Sequence, residues 1–276
     1  MHSLPVHRIA IVIAALGMSG ALSAQESLGG AARSFGVTLP PGYLTAAAMP
    51  DSNVYLPPPP AAGSAALALD QASAVEAVAL NGSPRFQQAT RDADIASPAI
   101  TGVFSCAAGI AIGPATTPKT QALLRKAMTD LGVGGYPTKN RYQHVRPFME
   151  NNQPICTPEL DAALRKDGSY PSGHSAIGYG WGLVLAELVP SRSAQLVERG
   201  RQFGDSRMVC NVHWLSDVQT GRYVATAVLA RLHASPAFRK DMAAARAELA
   251  ATTAKPDAAD CSREAAALAQ DWPGNR

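Results

Sequence analysis

The sequence has few charged residues and few aromatic ones, and each shortage argues against a class of protein. Charged residues make up 16% of the chain and aromatic residues 6%, whereas an average soluble protein carries roughly 25% charged residues. The net charge of +3 is spread along the chain without a basic cluster, which argues against nucleic-acid binding. The low aromatic content also argues against a platform on which bases stack.

Long apolar runs are scarce as well. One uncharged and largely apolar run extends from Ile9 to Ala24, follows His7 and Arg8, and ends in small residues. It is shorter than the roughly 20 residues that a membrane-spanning helix needs. We therefore predict a secretory signal peptide over residues 1–24, with cleavage after Ala24 and a periplasmic location for the mature chain. The alternative is an uncleaved anchor helix.

Cysteine is rare, and no Cys-x-x-Cys pair or zinc-type spacing is present in the sequence. The cysteines are even in number and all follow the predicted signal peptide, which favours two disulfide bonds in an oxidising compartment. Three pairings are possible, and the sequence leaves them open. The cysteines are Cys106, Cys156, Cys210 and Cys261.

The chain after the signal peptide changes character near residue 60. Residues 25–60 are rich in Gly, Ser and Pro and end in four prolines, which predicts an extended arm. From residue 61 the pattern is helical and strand-like alternation is absent, so we predict an all-α fold, with one compact helical domain over 61–255 and a tail over 256–276. Helices are predicted at 61–80, 84–97, 118–131, 172–188, 216–233 and 236–249.

Two cations with helical spacing form the first candidate functional cluster. Lys139 and Arg146 lie seven residues apart, so two turns of one helix would point both side chains in the same direction. Two cations aimed at one point repel each other unless an anion lies between them. The alternative is an ordinary solvated basic face.

The second cluster begins a predicted helix. Ser172 and Gly173 precede a long apolar run, and the free N–H groups at such a helix start suit a phosphate-like oxyanion. Gly173 allows close approach of the backbone, Ser172 can add a hydroxyl donor, and His174 would lie beside the anion. The alternative is a serine N-cap with an unrelated histidine.

The third cluster contains Arg207, His213 and Asp217. The His213 and Asp217 side chains would be adjacent on a helical face, so the carboxylate could bind one ring nitrogen and leave the other with its lone pair. The alternatives are a His–Asp pair without chemistry, or a zinc site formed by His174, His213 and Asp217. The zinc site is disfavoured because nearby cations already supply positive charge.

Together the three clusters resemble the signature of the type-2 phosphatidic acid phosphatase (PAP2) superfamily, which reads Lys-x6-Arg-Pro, Pro-Ser-Gly-His and Ser-Arg-x5-His-x3-Asp. The sequence around them, over residues 50–250, is similar to bacterial class A non-specific acid phosphatases. Two positions depart from that class, Ser175 in place of Thr and Asn211 in place of Gly. The matching residues are Lys139, Arg146, Pro147, Pro171, Ser172, Gly173, His174, Ser206, Arg207, His213 and Asp217.

The resemblance implies a helical acid phosphatase fold and a broad-specificity phosphomonoester hydrolase that uses no cofactor or metal. It implies that His213 is the nucleophile that accepts the phosphoryl group, that Asp217 orients it, and that His174 is the general acid and base. Inorganic phosphate would be both product and inhibitor, and a homodimer is expected. The implied phosphate-binding residues are Lys139, Arg146, Ser172, Gly173, His174 and Arg207.

Two other functions use the same pocket. A vanadate-dependent haloperoxidase would share the anion site, but such enzymes are usually much larger chains. A non-catalytic periplasmic phosphate-binding protein would need the cations, but not His174 or the His213–Asp217 pair. A membrane lipid phosphatase is disfavoured because no spanning segment follows residue 24.

Overall fold

The computed structural model describes residues 40–270 of the chain. The predicted signal peptide, the first part of the arm and the last residues of the tail lie outside the described residues. Within them the chain forms helices and no strand, so the predicted all-α fold is confirmed. The α-helices are α1 (Ser52–Tyr55), α2 (Ala65–Val78), α3 (Pro84–Ala93), α4 (Ser105–Ala108), α5 (Pro118–Val133), α6 (Tyr136–Tyr142), α7 (Pro147–Asn151), α8 (Asp161–Leu164), α9 (Gly173–Leu188), α10 (Ser193–Val209), α11 (Leu215–Ala234), α12 (Pro236–Ala251) and α13 (Ala258–Leu268).

Helix α9 is the central element, and it packs against α5, α10 and α11. Its side chains are apolar on nearly every face, which is typical of a helix that is buried all round. Trp181 lies at its middle, is fully buried, and donates from its indole N–H to the Leu124 carbonyl of α5 at 2.8 Å. The core around Trp181 therefore fixes the position of α9.

Glycines let α9 and α10 approach closely. A methyl group on Gly200 would lie 2.8 Å from the Gly178 carbonyl oxygen and 3.2 Å from the Gly182 Cα, and one on Gly182 would lie 2.7 Å from the Leu196 carbonyl oxygen. Real Cβ atoms essentially never lie within 3.0 Å of a backbone oxygen, so a side chain at either position would push the helices apart. The two helices are antiparallel, so this contact holds the start of α9 beside the end of α10.

All six predicted helices are present, with ends shifted by a few residues. Helix α10 was not predicted, and neither was α13, which lies in the predicted tail. Cys261 of α13 is joined to Cys106, and Cys156 is joined to Cys210, so the prediction of two disulfides is confirmed. Residues 258–268 of the predicted tail are therefore helical and covalently tied to the domain, because a long-range disulfide and the packing of α13 on α3 order them.

The described part of the arm also packs. Asp51 caps the short helix α1, and Leu56 is buried in the main core. The Asp130 carboxylate of α5 accepts the Tyr43 and Leu44 backbone N–H groups at 2.7 and 3.2 Å. These contacts hold residues 43–56 against the helical domain, although their composition predicts an extended segment.

Candidate active site

The three predicted clusters meet at one cavity of about 320 Å³. Six of the predicted residues line it: Lys139, Arg146, Gly173, His174, Arg207 and His213. Ser172 and Asp217 lie behind this lining, and each is almost fully buried. The packing of α9 against α10 and α11 brings residues that are far apart in sequence together at this cavity.

Lys139 and Arg146 converge, but they do not share a helix. Helix α6 ends at Tyr142, and Gln143 has a left-handed backbone with φ 45°. Arg146 then has extended backbone angles and precedes α7. The helical-face prediction is therefore wrong in geometry, because the left-handed residue turns the chain back and brings both cations to the cavity.

Every N–H group of the Arg146 guanidinium has an acceptor. Nε donates to the Leu164 and Asp167 carbonyl oxygens at 3.0 and 2.9 Å. Nη1 donates to the Val212 carbonyl at 2.8 Å and lies 3.1 Å from His213 Nε2. Nη2 donates to an Asp167 carboxylate oxygen at 2.9 Å and to the Gly168 carbonyl at 3.3 Å. An arginine has five such donors, so Arg146 holds none in reserve.

Arg207, by contrast, has donor atoms without hydrogen-bond partners. It lies in the last turn of α10 and is 2% exposed, and its Nε and Nη1 atoms have no hydrogen-bond partner. Burial, with the Arg146 charge, lowers the pKa of Arg207 to about 9. A buried cation without a partner is costly, and an anion in the cavity would supply the missing acceptor.

The start of α9 adds backbone donors. Ser172 is its N-cap, and the Ser172 hydroxyl oxygen accepts the Ser175 N–H at 3.2 Å. Ser175 Oγ also donates to Ser172 Oγ at 2.9 Å, so the Ser172 proton remains available for an oxyanion. The Gly173 and His174 N–H groups have no acceptor among the described residues. The serine at position 175 therefore uses its hydroxyl to support the cap.

His174 is held in one tautomer. Its Nε2 atom lies 3.1 Å from the Ala93 carbonyl oxygen, which can only accept, so Nε2 carries the proton and Nδ1 is the basic nitrogen. Burial lowers the pKa of His174 well below its usual value, and Arg207 adds to the effect. His174 is therefore neutral in the free protein.

His213 and Asp217 also form the predicted pair, although not on a helical face. Helix α11 begins at Leu215, after His213. The Asp217 carboxylate accepts the Trp214 backbone N–H at 2.8 Å and lies 3.2 Å from His213 Nδ1. It therefore caps the helix and orients the imidazole at once. Burial and Arg146 lower the pKa of His213 to about 3 against the raising effect of Asp217, so the ring is neutral.

The loop before His213 depends on Asn211. This residue has a left-handed backbone with φ 60°, a conformation that Gly and Asn adopt most readily. Its amide exchanges two hydrogen bonds with the Asn151 amide at 2.8 and 2.9 Å. Asparagine thus fills a glycine-like position and adds a tie to the end of α7.

Two further residues belong to the site and were not predicted. Asp167 lines the cavity, and its carboxylate lies 3.3 Å from Lys139 Nζ as well as 2.9 Å from Arg146 Nη2. His144 has its Nδ1 atom 3.0 Å from Ser169 Oγ and 3.5 Å from Asp217 Oδ1, so two histidines flank Asp217. Burial lowers the pKa of His144, but Asp217 outweighs it and raises the pKa overall. Their only sequence signal was proximity to Arg146 and to Ser172.

Between residues 40 and 270, no group of three His, Cys, Asp or Glu side chains is arranged to hold a metal ion. Within that range no helix has both the length and the apolarity to cross a bilayer.

The chain is similar to known proteins over the region that carries this site. The model of the PAP2 superfamily matches residues 120–241, which include every predicted site residue. The chain is 43% identical over 203 residues to the non-specific acid phosphatase of Salmonella typhimurium, covering 72% of this chain and 80% of that protein. It is 41% identical to an acid phosphatase of Zymomonas mobilis, over 72% of this chain and 75% of that protein. A non-specific acid phosphatase of Providencia stuartii is 37% identical over 75% of this chain and 84% of its own.

Identity at this level extends well beyond the signature residues and covers most of each relative. The buried cations, the capped start of α9 and the His213–Asp217 pair all lie inside the matched region. The chain belongs to the PAP2 superfamily, among its class A-like non-specific acid phosphatases, and is a phosphomonoester hydrolase.

Proposed function

We propose that this acid phosphatase hydrolyses a broad range of phosphate monoesters through a phosphohistidine at His213, and that it needs no metal ion. The observation that carries the proposal is the state of His213. Asp217 holds the proton on Nδ1, and the lowered pKa keeps the ring neutral. His213 Nε2 therefore carries no proton, and its lone pair accepts from Arg146 Nη1 at 3.1 Å. It lines the same cavity as the unpaired Arg207 cation, as a nucleophile at an anion site requires.

The first step transfers the phosphoryl group. Arg207 and the Gly173 and His174 N–H groups bind the phosphate oxygens, and Arg146 Nη1 shifts from His213 Nε2 to a phosphate oxygen. Nε2 then attacks phosphorus, so that an N–P bond forms while the bond from phosphorus to the ester oxygen breaks. The protonated Nδ1 of His174 gives its proton to the departing oxygen, which leaves as an alcohol.

The second step releases phosphate. The neutral Nδ1 of His174 takes a proton from a water molecule, whose oxygen bonds to phosphorus. The N–P bond breaks and its electron pair returns to His213 Nε2. Inorganic phosphate is the product, and it competes with substrate because it occupies the same donors.

Positive charge in this site comes from side chains. Phosphoryl transfer depends mainly on positioning and on stabilising charge on the equatorial oxygens. Lys139, Arg146 and Arg207 are each at least 97% buried, with exposures of 3%, 2% and 2%. In a cavity shielded from water, three such cations provide the charge that metal ions provide in many other phosphatases.

The remaining wall of the cavity fits varied leaving groups. Ile95, Met128, Val133 and Ile177 present apolar surface beside the anion site. Apolar contacts are non-directional, so they accommodate ester groups of different shapes without a fixed hydrogen-bond pattern. This supports broad specificity.

Export to the periplasm is also proposed. Both disulfides are formed between cysteines that follow the predicted signal peptide. Such bonds persist in oxidising compartments and are rare in the cytosol. The signal-like run at residues 9–24 supports the same location.

The experiment is a rapid quench with phosphorus-labelled substrate. We expect His213→Ala to lose turnover and protein-bound label, because the nucleophile is gone. His174→Ala should still accumulate label from a substrate with a good leaving group, since only poor leaving groups need the proton in the first step. His233→Ala is the matched control, because His233 is exposed and pairs with Glu187.

Three results would overturn the proposal. They are wild-type turnover in His213→Ala, the absence of protein-bound label in both wild type and His174→Ala, and loss of activity in EDTA that a divalent ion restores.

A further inference from the structure

Asp167 occupies the cations that the proposed function assigns to phosphate. Its carboxylate pairs with Arg146 and Lys139 at 2.9 and 3.3 Å, and it lines the same cavity as Arg207 and His213. A carboxylate between two cations has the charge sign and the hydrogen-bond geometry of a phosphate oxygen. The burial of Arg146 and Lys139, at 2% and 3% exposure, leaves little solvent to share them.

The donor count makes this contact a competition. All five Arg146 N–H groups are already used, one of them on the Asp167 carboxylate and one on His213 Nε2. A phosphate oxygen can therefore gain Arg146 only if one of these acceptors gives way. By contrast, Arg207 Nε and Nη1 are unpartnered and can receive an oxyanion without displacing anything.

We propose that Asp167 is an internal anion that competes with the phosphate group for Arg146 and Lys139, and so limits the affinity of the site for substrate and for product phosphate. This inference rests on the proposed role of the two cations in phosphate binding. Arg207 and the start of α9 receive the anion first. Asp167 then leaves Arg146 and Lys139 to the phosphate, and returns to them when phosphate departs.

The competition gives Asp167 a function in turnover. Three cations around a dianion would bind inorganic phosphate tightly, and a tightly bound product slows the next cycle. A resident carboxylate lowers that affinity, because its own ion pairs must be given up whenever phosphate binds. Asp167 is 20% exposed in its side chain, so it has a solvated position to move toward.

The test is equilibrium binding of inorganic phosphate to wild type and Asp167→Asn, measured by calorimetry without substrate. Asparagine keeps an oxygen that Arg146 and Lys139 can bind, but removes the charge. We expect phosphate to bind about tenfold more tightly or better, because a unit charge a few ångströms away is removed. Product inhibition during turnover should strengthen by the same factor.

A purely structural role for Asp167 predicts no gain in phosphate affinity in this variant. If Asp167 only held the cations in place, its loss would leave phosphate affinity unchanged or weaken it, and either result overturns the proposal. Asp161→Asn is the control, since Asp161 is an exposed carboxylate paired with Arg165 at 2.6 Å. Asp167→Ser provides a second neutral variant if the first does not fold.

The binding measurement separates this inference from the mechanism. Phosphate affinity does not depend on His213 acting as nucleophile. An unchanged affinity in Asp167→Asn together with normal trapping of the phosphoenzyme would refute the competition alone. Tighter binding without a phosphoenzyme would support the competition and refute the mechanism.

Discussion

Both histidines in the cavity are neutral in the free protein at mildly acidic pH, because the pKa of each is lowered below its usual value. Burial lowers the pKa of each, with Arg207 reinforcing the effect at His174 and Arg146 at His213. Neutrality suits His213, which needs a lone pair. It does not suit His174, which needs a proton to release an alcohol, so that proton has to enter with the substrate.

The pH dependence follows from this supply of the proton. The second pKa of a phosphate ester is about 6, so the monoanion that carries the extra proton disappears above that pH. We expect kcat/KM to fall about tenfold per pH unit on the alkaline side, from a midpoint equal to the substrate's second pKa. Esters whose second pKa differs should shift this limb correspondingly in pH–rate profiles.

If the midpoint of the alkaline decline in kcat/KM is the same for every ester, this explanation is wrong. The midpoint would then be the pKa of a group on the enzyme. His144 is the internal check. Its pKa is raised by Asp217, so His144→Gln should leave the substrate-dependent shift in place.

Site residues were predictable where a motif fixes the type and order of the side chains. Lys139, Arg146, His174, Arg207 and His213 all line the cavity. Asp167 was missed because a lone carboxylate in a loop has no periodicity, and it reaches Arg146 through the turn at residues 165–166 that follows α8. Lys139 and Arg146 converge as predicted, but not on one helical face, since α6 ends at Tyr142 and Gln143 has a left-handed backbone.

At the scale of elements, the approach of α9 and α10 determines the site. The start of α9 carries His174, the end of α10 carries Arg207, and the glycine contact between them leaves no space for a side chain. A separation imposed at this contact would move the Arg207 cation away from the Gly173 and His174 N–H groups. The catalytic geometry is thus sensitive to residues in the middle of both helices.

Gly200→Ala tests that dependence. The added methyl would lie 2.8 Å from the Gly178 carbonyl oxygen, and overpacking of this kind costs about 1–3 kcal/mol. The helix propensity of Ala offsets up to about 1 kcal/mol of this. We expect a lower melting temperature and a higher KM, measured by thermal unfolding and steady-state kinetics.

Gly113→Ala is the control, since a methyl there meets only Thr116 Oγ1 at 3.8 Å. Equal stability and equal KM in Gly200→Ala and Gly113→Ala would show that the helices are free to separate without consequence.

Helices were predictable where Pro, Ser or Gly residues mark their ends and apolar residues repeat between them. Helix α10 was missed because its sequence mixes charged residues with two glycines, Gly200 and Gly204. Tertiary packing overrides their low propensity, since Gly200 and Gly204 let the backbone lie against α9. Helix α13 was missed because the helical domain was predicted to end at residue 255 and the disulfide partner of Cys261 was open.

At the scale of the whole molecule, buried ion pairs connect segments that are distant in sequence. Arg199 of α10 binds the Asp92 carboxylate of α3 at 2.6 and 3.2 Å and lies 3.5 Å from Glu264 of α13. Ser206 donates to the same Asp92 at 2.7 Å. The residue next to Arg207 is therefore anchored to α3, and through Arg199 to the C-terminal helix.

The bond between Cys106 and Cys261 spans 155 residues. The cavity residues from Lys139 to His213 lie between these two cysteines, whereas Ala93 and Ile95 precede them. The charged residues of the active site thus lie within a covalent ring. A protease that cuts one peptide bond inside the ring opens it without releasing a fragment, so the nicked enzyme would migrate as one species on a non-reducing gel. Reduction would separate it into two pieces. The disulfide bond would therefore decide whether the two pieces of a cleaved molecule stay joined.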